Sequence, residues 1–353
     1  MQRAKTLRHA VDLIDAGLAT ASDRAALDHV AAHYAVAISP ALVAAIDPAD
    51  PHDPIARQFV PNVAELITAP EERGDPIGDD AHSPVAGIVH RYLDRVLLKL
   101  VHVCPVYCRY CFRREMVGPQ GRGTLSSEET AGALDYIRGN ANIWEVILTG
   151  GEPLLMSPRR LRAVMRELAT IDHVRIVRVH SRMPAVAPER VTAEMLRALK
   201  ASGKTTYLVL HVNHAREMTA EVRAACARIV DAGIPMLSQT VLLRGVNDDA
   251  DTLDSLFRTL VECRIKPYYL HHGDLAPGTA HFRTSIEGGQ ELMRALRGRL
   301  SGIAQPTYVL DIPGGAGKVP VGPNYLQEHG DESVRRYQVE DPRGGYHLYP
   351  PQA

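Results

Sequence analysis

The sequence is poor in cysteine, balanced in charge and free of long apolar runs, and each shortage removes a class of function. Five cysteines in 353 residues are too few for a disulfide framework, and an odd number with three crowded together suits metal ligation in a reducing compartment. Lysine and arginine total 40 against 41 aspartates and glutamates, so the basic excess or stripe that nucleic-acid binding needs is missing. No apolar stretch approaches the roughly 18 residues of a membrane-spanning helix. The N-terminal segment is amphipathic with both signs of charge, unlike a secretory signal. The expectation is a cytoplasmic protein that meets neither membrane nor nucleic acid. Its 45% of apolar residues suffices for a large core.

Three stretches differ in rhythm. Residues 1–90 alternate short helical patterns with Pro and Asp punctuation and end in a Pro-, Gly- and Asp-rich lead-in from about residue 70. From Val96 onward, apolar β-branched runs recur at 96–103, 146–150, 174–181, 205–212, 236–243 and 267–272, separated by amphipathic segments. One segment puts Val222, Cys226, Ile229 and Val230 on a single stripe with Gly233 as its stop; another groups Leu253, Leu256, Phe257 and Leu260. Strands and helices alternating at about 30 residues build a parallel sheet. The expected fold is α/β, a partial (β/α)6-type barrel over residues 91–285, preceded by the helical extension 1–90 and followed by a short C-terminal segment 286–353. In such folds chemistry sits at the C-terminal ends of the strands.

The first run leads directly into Cys104-Pro-Val-Tyr-Cys108-Arg-Tyr-Cys111. Three thiolates on a tight loop can hold three irons of a 4Fe–4S cube and leave the fourth open. The competing reading is structural zinc, with His90 or His102 as fourth ligand. Cys226 and Cys263 fall within helical patterns and read as buried hydrophobes. One unit later the second run ends in Gly150-Gly151-Glu152-Pro153, where glycines permit close backbone approach and a carboxylate can accept from an ammonium. This spacing and succession resemble the radical S-adenosylmethionine (SAM) superfamily. The resemblance implies that the open iron binds and reduces SAM, releasing a radical that takes hydrogen from unactivated C–H bonds.

Near the C-terminus, Asp311-Ile-Pro-Gly-Gly-Ala-Gly317-Lys318-Val fails the phosphate-loop pattern, because Val319 stands where Ser or Thr is required. Here the chain resembles the lysine 2,3-aminomutase family, from about Asp75 to Tyr325. The resemblance implies that Lys318 carries pyridoxal phosphate (PLP) as a Schiff base, and that Arg91 and Arg95 hold the PLP phosphate. It also implies that Ser181, Arg182, His211 and Gln239 line the SAM or PLP pocket, with Gly150, Gly151, Glu152 and Pro153 at SAM. Arg113 would bind the substrate carboxylate, and Asp274 and Asp311 the distal ammonium of L-lysine. Two departures stand out: no cysteine follows Cys263, which removes the zinc site of the long relatives, and His271-His272-Gly273 replaces the usual residues before Asp274.

The combined reading is an isomerase, a radical SAM and PLP-dependent aminomutase that interconverts L-lysine and β-lysine. Its implied partners are an electron donor such as flavodoxin or ferredoxin and further copies of itself. The alternatives are the same chemistry on glutamate, on a lysine analogue or on a protein-bound lysine of elongation factor P, and an iron–sulfur or zinc protein without catalysis.

Overall fold

A computed structural model describes residues 5–118, 123–329 and 336–351 of the chain. One nine-stranded sheet organises it, with strands in sequence order: β1 (Ile88–Tyr92), β2 (Arg95–Val101), β3 (Glu145–Gly150), β4 (Ile176–Ser181), β5 (Thr205–His211), β6 (Met236–Val241), β7 (Ile265–His271), β8 (Thr307–Ile312) and β9 (Gly317–Pro320). Strands β2 to β8 run parallel, whereas β1 and β9 pair antiparallel at the two edges. The expected α/β partial barrel is borne out. The six apolar runs became β2 to β7, and Thr307–Ile312 adds a seventh parallel strand that carries the sheet into the C-terminal segment.

The alternation of side chains along each strand separates two environments. Outward residues such as Leu98, Leu148, Val177, Val179, Leu208 and Leu210 are fully buried against the helices. Inward residues include polar ones, Glu145 and Thr149 on β3, Arg178 and His180 on β4, His211 on β5 and Gln239 on β6, set among apolar ones such as Ile147 and Val241. The crossover helices start on side-chain caps that satisfy their first free N–H groups. Ser126 caps Ser127–Gly139, Ser157 caps Pro158–Ala169, Thr219 caps Ala220–Asp231 and Asp249 caps Ala250–Glu262. Val222, Cys226 and Ile229 face the core as their spacing predicts, as do Leu253, Leu256, Phe257 and Leu260. Cys263 departs from expectation: it follows the helix end, is half-buried, and lies 3.7 Å from an Arg223 nitrogen.

The N-terminal helices share this core through Ile55 and Phe59. Buried Glu65 reaches Arg109 at 3.0 Å and also pairs with Arg114, tying the extension to the loop after β2. At the sheet edges, the Lys318 backbone N–H on β9 donates to the Tyr92 hydroxyl on β1 at 2.7 Å. Gly78 packs so closely that a Cβ would stand 2.5 Å from Gly314 C and Gly315 N. Strands β10 (Leu326–His329), β11 (Arg336–Glu340) and β12 (Tyr346–Tyr349) form a separate antiparallel sheet. Among the described residues, no helix is long and apolar enough to cross a membrane.

Candidate active site

The inner face of the sheet encloses a cavity of about 720 Å³ with mixed polar and apolar walls. Of the residues that the resemblance assigns to the cluster, SAM, PLP or substrate, Pro153 alone does not line it; that residue is buried at the start of the turn after β3.

At one end, β2 delivers the loop bearing Cys104, Cys108 and Cys111, all half-buried and all lining the cavity. The loop is fixed from behind, with the Arg109 N–H on the Gln58 carbonyl at 2.8 Å and the Arg109 guanidinium on Glu65. Burial first, and then the neighbouring Cys108, pushes the Cys111 thiol up to about 11; burial likewise raises Cys104. Thiols so placed become ligands when a cation compensates the thiolate charge. Among the described residues, no group of three or more His, Cys, Asp or Glu side chains is placed to hold a single metal ion. A multi-iron cube needs no such convergence, because each thiolate takes its own iron. His90 turns away, its Nδ1 2.7 Å from the Tyr136 hydroxyl, which counts against it as a zinc ligand.

The end of β3 lies against the approach to this loop. Gly150 has φ 112°, and a Cβ on Gly151 would stand 2.4 Å from the Val103 carbonyl oxygen. Both glycines are therefore required by the protein's own backbone approach. Glu152 accepts from Leu154 N–H (3.0 Å), the Ser181 hydroxyl (2.7 Å), Arg182 N–H (2.8 Å) and Met183 N–H (3.1 Å), which clamps β3 to β4. Its two oxygens are thus engaged before any ligand ammonium arrives. Arg182 pairs with buried Glu217, donates to Gln58 Oε1 at 3.0 Å and to the Tyr110 hydroxyl, and lies over the Phe59 ring at 4.9 Å. His211 is pushed down to about 3 by burial and then by the neighbouring His271 ring, so it is neutral at physiological pH.

At the other end, β8 and β9 bring Asp311 and Lys318 together: the ammonium pairs with Asp311 Oδ2 and lies 3.3 Å from His271 Nδ1 on β7. Asp274, just beyond β7, is pushed up to about 7 by burial and then by the negative charge of Asp311. For Asp311 burial acts upward, but the His271 and Lys318 contacts prevail and hold it well below the usual carboxylate range. Arg91 bonds Asp79 at 2.8 Å and stands 3.7 Å from Asp311. Arg113 bonds the other oxygen of Asp79 at 3.0 Å, with Lys99 at 3.9 Å. Arg95 lies at the start of β2, paired with Asp94 at 2.7 Å and stacked 3.8 Å over Tyr92; Glu145 and Arg178 pair at 2.8 Å in the same wall of the cavity.

Sequence reasoning missed Asp79, which is 1% exposed and joins two of the singled-out arginines from within a segment read as loop. It also missed His180, whose buried Nε2 has no partner, and Lys99. A lone acid beside Asp80 in a Gly- and Pro-rich stretch carries no local signal. The glycines before Lys318 turn out to serve packing: Gly314 and Gly315 have φ 79° and 87°, and a Cβ on Gly315 would stand 2.4 Å from His82 Nε2.

The same two stretches match known families. The Radical SAM superfamily model covers residues 98–256, and the model described as Lysine-2,3-aminomutase covers residues 293–342. The L-lysine 2,3-aminomutase of Clostridium subterminale is 43% identical over 305 residues, 86% of this chain and 73% of that one. That of Acetoanaerobium sticklandii is 41% identical over the same shares, and the glutamate 2,3-aminomutase of Clostridioides difficile is 36% identical over 89% of this chain and 74% of its own. Radical SAM enzymes work with a 4Fe–4S cluster and SAM, for which the thiol loop offers a suitable donor set. Identity at this level over 86% of the chain means that it belongs to the lysine 2,3-aminomutase family of radical SAM isomerases.

Proposed function

We propose that this isomerase moves the α-amino group of L-lysine to C3, with PLP on Lys318 and the cluster on Cys104, Cys108 and Cys111. The observation that carries the reading is that one cavity is lined by the three thiols and by Lys318, with Arg113, Asp274 and Asp311 in the same lining. A cationic pair of arginines, a lysine amine and buried unpartnered nitrogens (Arg91 Nε, His271 Nε2) are a donor set that fits a phosphate-bearing aldehyde. When bound, the cluster with SAM supplies a hydrogen-abstracting radical, and PLP supplies an imine that can accept a neighbouring radical where a bare amine cannot.

The chain's own residues do the rest. Arg113, steadied by Asp79, holds the substrate carboxylate with a fork of donors. Asp274 and Asp311 receive the distal ammonium, since a buried cation needs charged, hydrogen-bonded anions. Arg91 and Arg95 hold the phosphate. Gripped at both ends, the substrate presents one C3 hydrogen to the thiol end, and the enclosing sheet keeps water from the radical. Two acids also favour lysine over glutamate, because a second carboxylate there would meet Asp311 with no added cation to offset it.

The test is anaerobic incubation of reconstituted protein with SAM, PLP, dithionite and either L-lysine or L-glutamate, followed by mass-resolved chromatography. β-Lysine from L-lysine, absent in Lys318→Ala, is expected; β-glutamate alone would overturn the substrate assignment.

A further inference from the structure

His271, at the end of β7 and three residues before Asp274, lies beside Lys318. His271 Nδ1 is 3.3 Å from the Lys318 ammonium and 3.6 Å from Asp311 Oδ2, while its Nε2 is buried without a partner. An ammonium has only donors, so Nδ1 faces it as an acceptor and Nε2 carries the ring hydrogen. One carboxylate, Asp311, therefore stands within reach of both nitrogens between which a proton could pass. Burial first, and then the Lys318 charge, lowers the affinity of His271 for a proton, so at rest the ring is neutral and free to accept one. The charged and titratable groups around it are Lys318 on β9, Asp311 on β8, His211 on β5 and His180 on β4, with Tyr269 on its own strand at 5.6 Å between rings.

We infer that His271 is the proton acceptor that converts Lys318 into a nucleophile when an aldehyde cofactor loads, and that Asp311 stabilises the charge before and after the transfer. The inference rests on the reading that Lys318 carries PLP. The Lys318 ammonium gives one proton to His271 Nδ1, and the free amine attacks the aldehyde carbon to form the C–N bond. The amine's second proton and the one held by His271 then leave with the carbonyl oxygen as water, so the ammonium and aldehyde become a protonated C=N bond plus water. No oxidant or reductant enters. Before the transfer Asp311 faces an ammonium, and afterwards an imidazolium, so the site's net charge is unchanged and the low-dielectric surroundings impose little penalty.

The test uses the full chain with PLP alone, without SAM or reductant. It follows the visible absorbance of the lysine–PLP bond by stopped flow and fixes that bond with borohydride for mass analysis at Lys318. Wild type should form the band, and Lys318→Ala should not. For His271→Ala the loading rate should fall at least about tenfold, toward the lower range of general acid–base effects. The final amount bound should change little, and added imidazole should restore the rate. His271→Asn, which keeps an acceptor at the δ position but cannot take the proton, should stay slow. Loading of His271→Ala at the wild-type rate, or a slow rate that imidazole does not move, overturns the relay while leaving the PLP reading intact. Absence of the band in wild type overturns both.

Discussion

The two ends of the cavity satisfy their polar groups in opposite ways. Beside the thiols, Glu152 is filled by four protein donors, and Arg182 spends its two terminal nitrogens on Glu217, Gln58 and Tyr110 and leaves only its Nε without a partner, so most of the scaffold there is satisfied by the protein itself. Beside Lys318, Asp79 serves Arg91, Arg113 and Lys99 at once, Asp311 serves Lys318 and stands 3.6 Å from His271, and the buried nitrogens Arg91 Nε and His271 Nε2 lack partners. The first end positions ligands through rigid backbone; the second holds charges whose balance a ligand can shift. Perturbed groups gathered in a cleft mark the places where binding energy changes protonation.

The comparison can be broken most directly at the thiols. Cys108→Ala should reduce SAM cleavage, read as 5′-deoxyadenosine, to background, yet leave borohydride-trapped PLP on Lys318 at the wild-type amount. Loss of both signals together would show that the ends do not behave separately.

Asp79→Asn should act at the other end and on the fold. It leaves Arg91, Arg113 and Lys99 short of a buried anion, a change that costs about 3 kcal/mol in comparable settings. A clear drop in Tm together with weaker PLP and substrate binding, but normal iron content, is expected. Unchanged PLP affinity would remove Asp79 from the site.

Asp274→Asn should raise KM for L-lysine by roughly thirtyfold, about 2 kcal/mol, with less effect on kcat. The pH dependence has a definite sign. With its carboxyl pushed up to about 7, Asp274 is anionic above that pH and neutral below it, so the wild-type KM should rise as pH falls from about 8 to 6. In the variant that rise should vanish.

The smallest effect belongs to Cys263→Ser. This half-buried thiol lies beside Arg223, outside the cavity, so iron content and SAM cleavage should match wild type. Reduced iron would mean that cysteines other than the three on the loop take part.

How far the sequence revealed each end follows from the same contrast. The thiol loop and Gly150 to Pro153 are contiguous motifs one unit apart, so spacing alone pointed to them. The six parallel strands were visible because most are dense apolar, β-branched runs buried on the outer face. Strand β8 was not, since Asp311 interrupts its apolar pattern on the inner face. The lysine end depends on residues from five separate places, Asp79, Arg91, His271, Asp311 and Lys318, and no local pattern encodes such a meeting. Resemblance supplied most of those names. Asp79 and the partnering of His271 emerged only when chain segments 34 and 47 residues apart were brought into contact. The glycines before Lys318 were visible, but their purpose, close packing against Gly78 and His82, was not.

The central claim is that one cavity lets chemistry started at the thiols act on a substrate held at Lys318. Anaerobic turnover of L-lysine deuterated at C3, with mass analysis of the 5′-deoxyadenosine formed, tests it. Deuterium in 5′-deoxyadenosine together with labelled β-lysine is the predicted result; 5′-deoxyadenosine free of deuterium, while SAM is being cleaved, would contradict it.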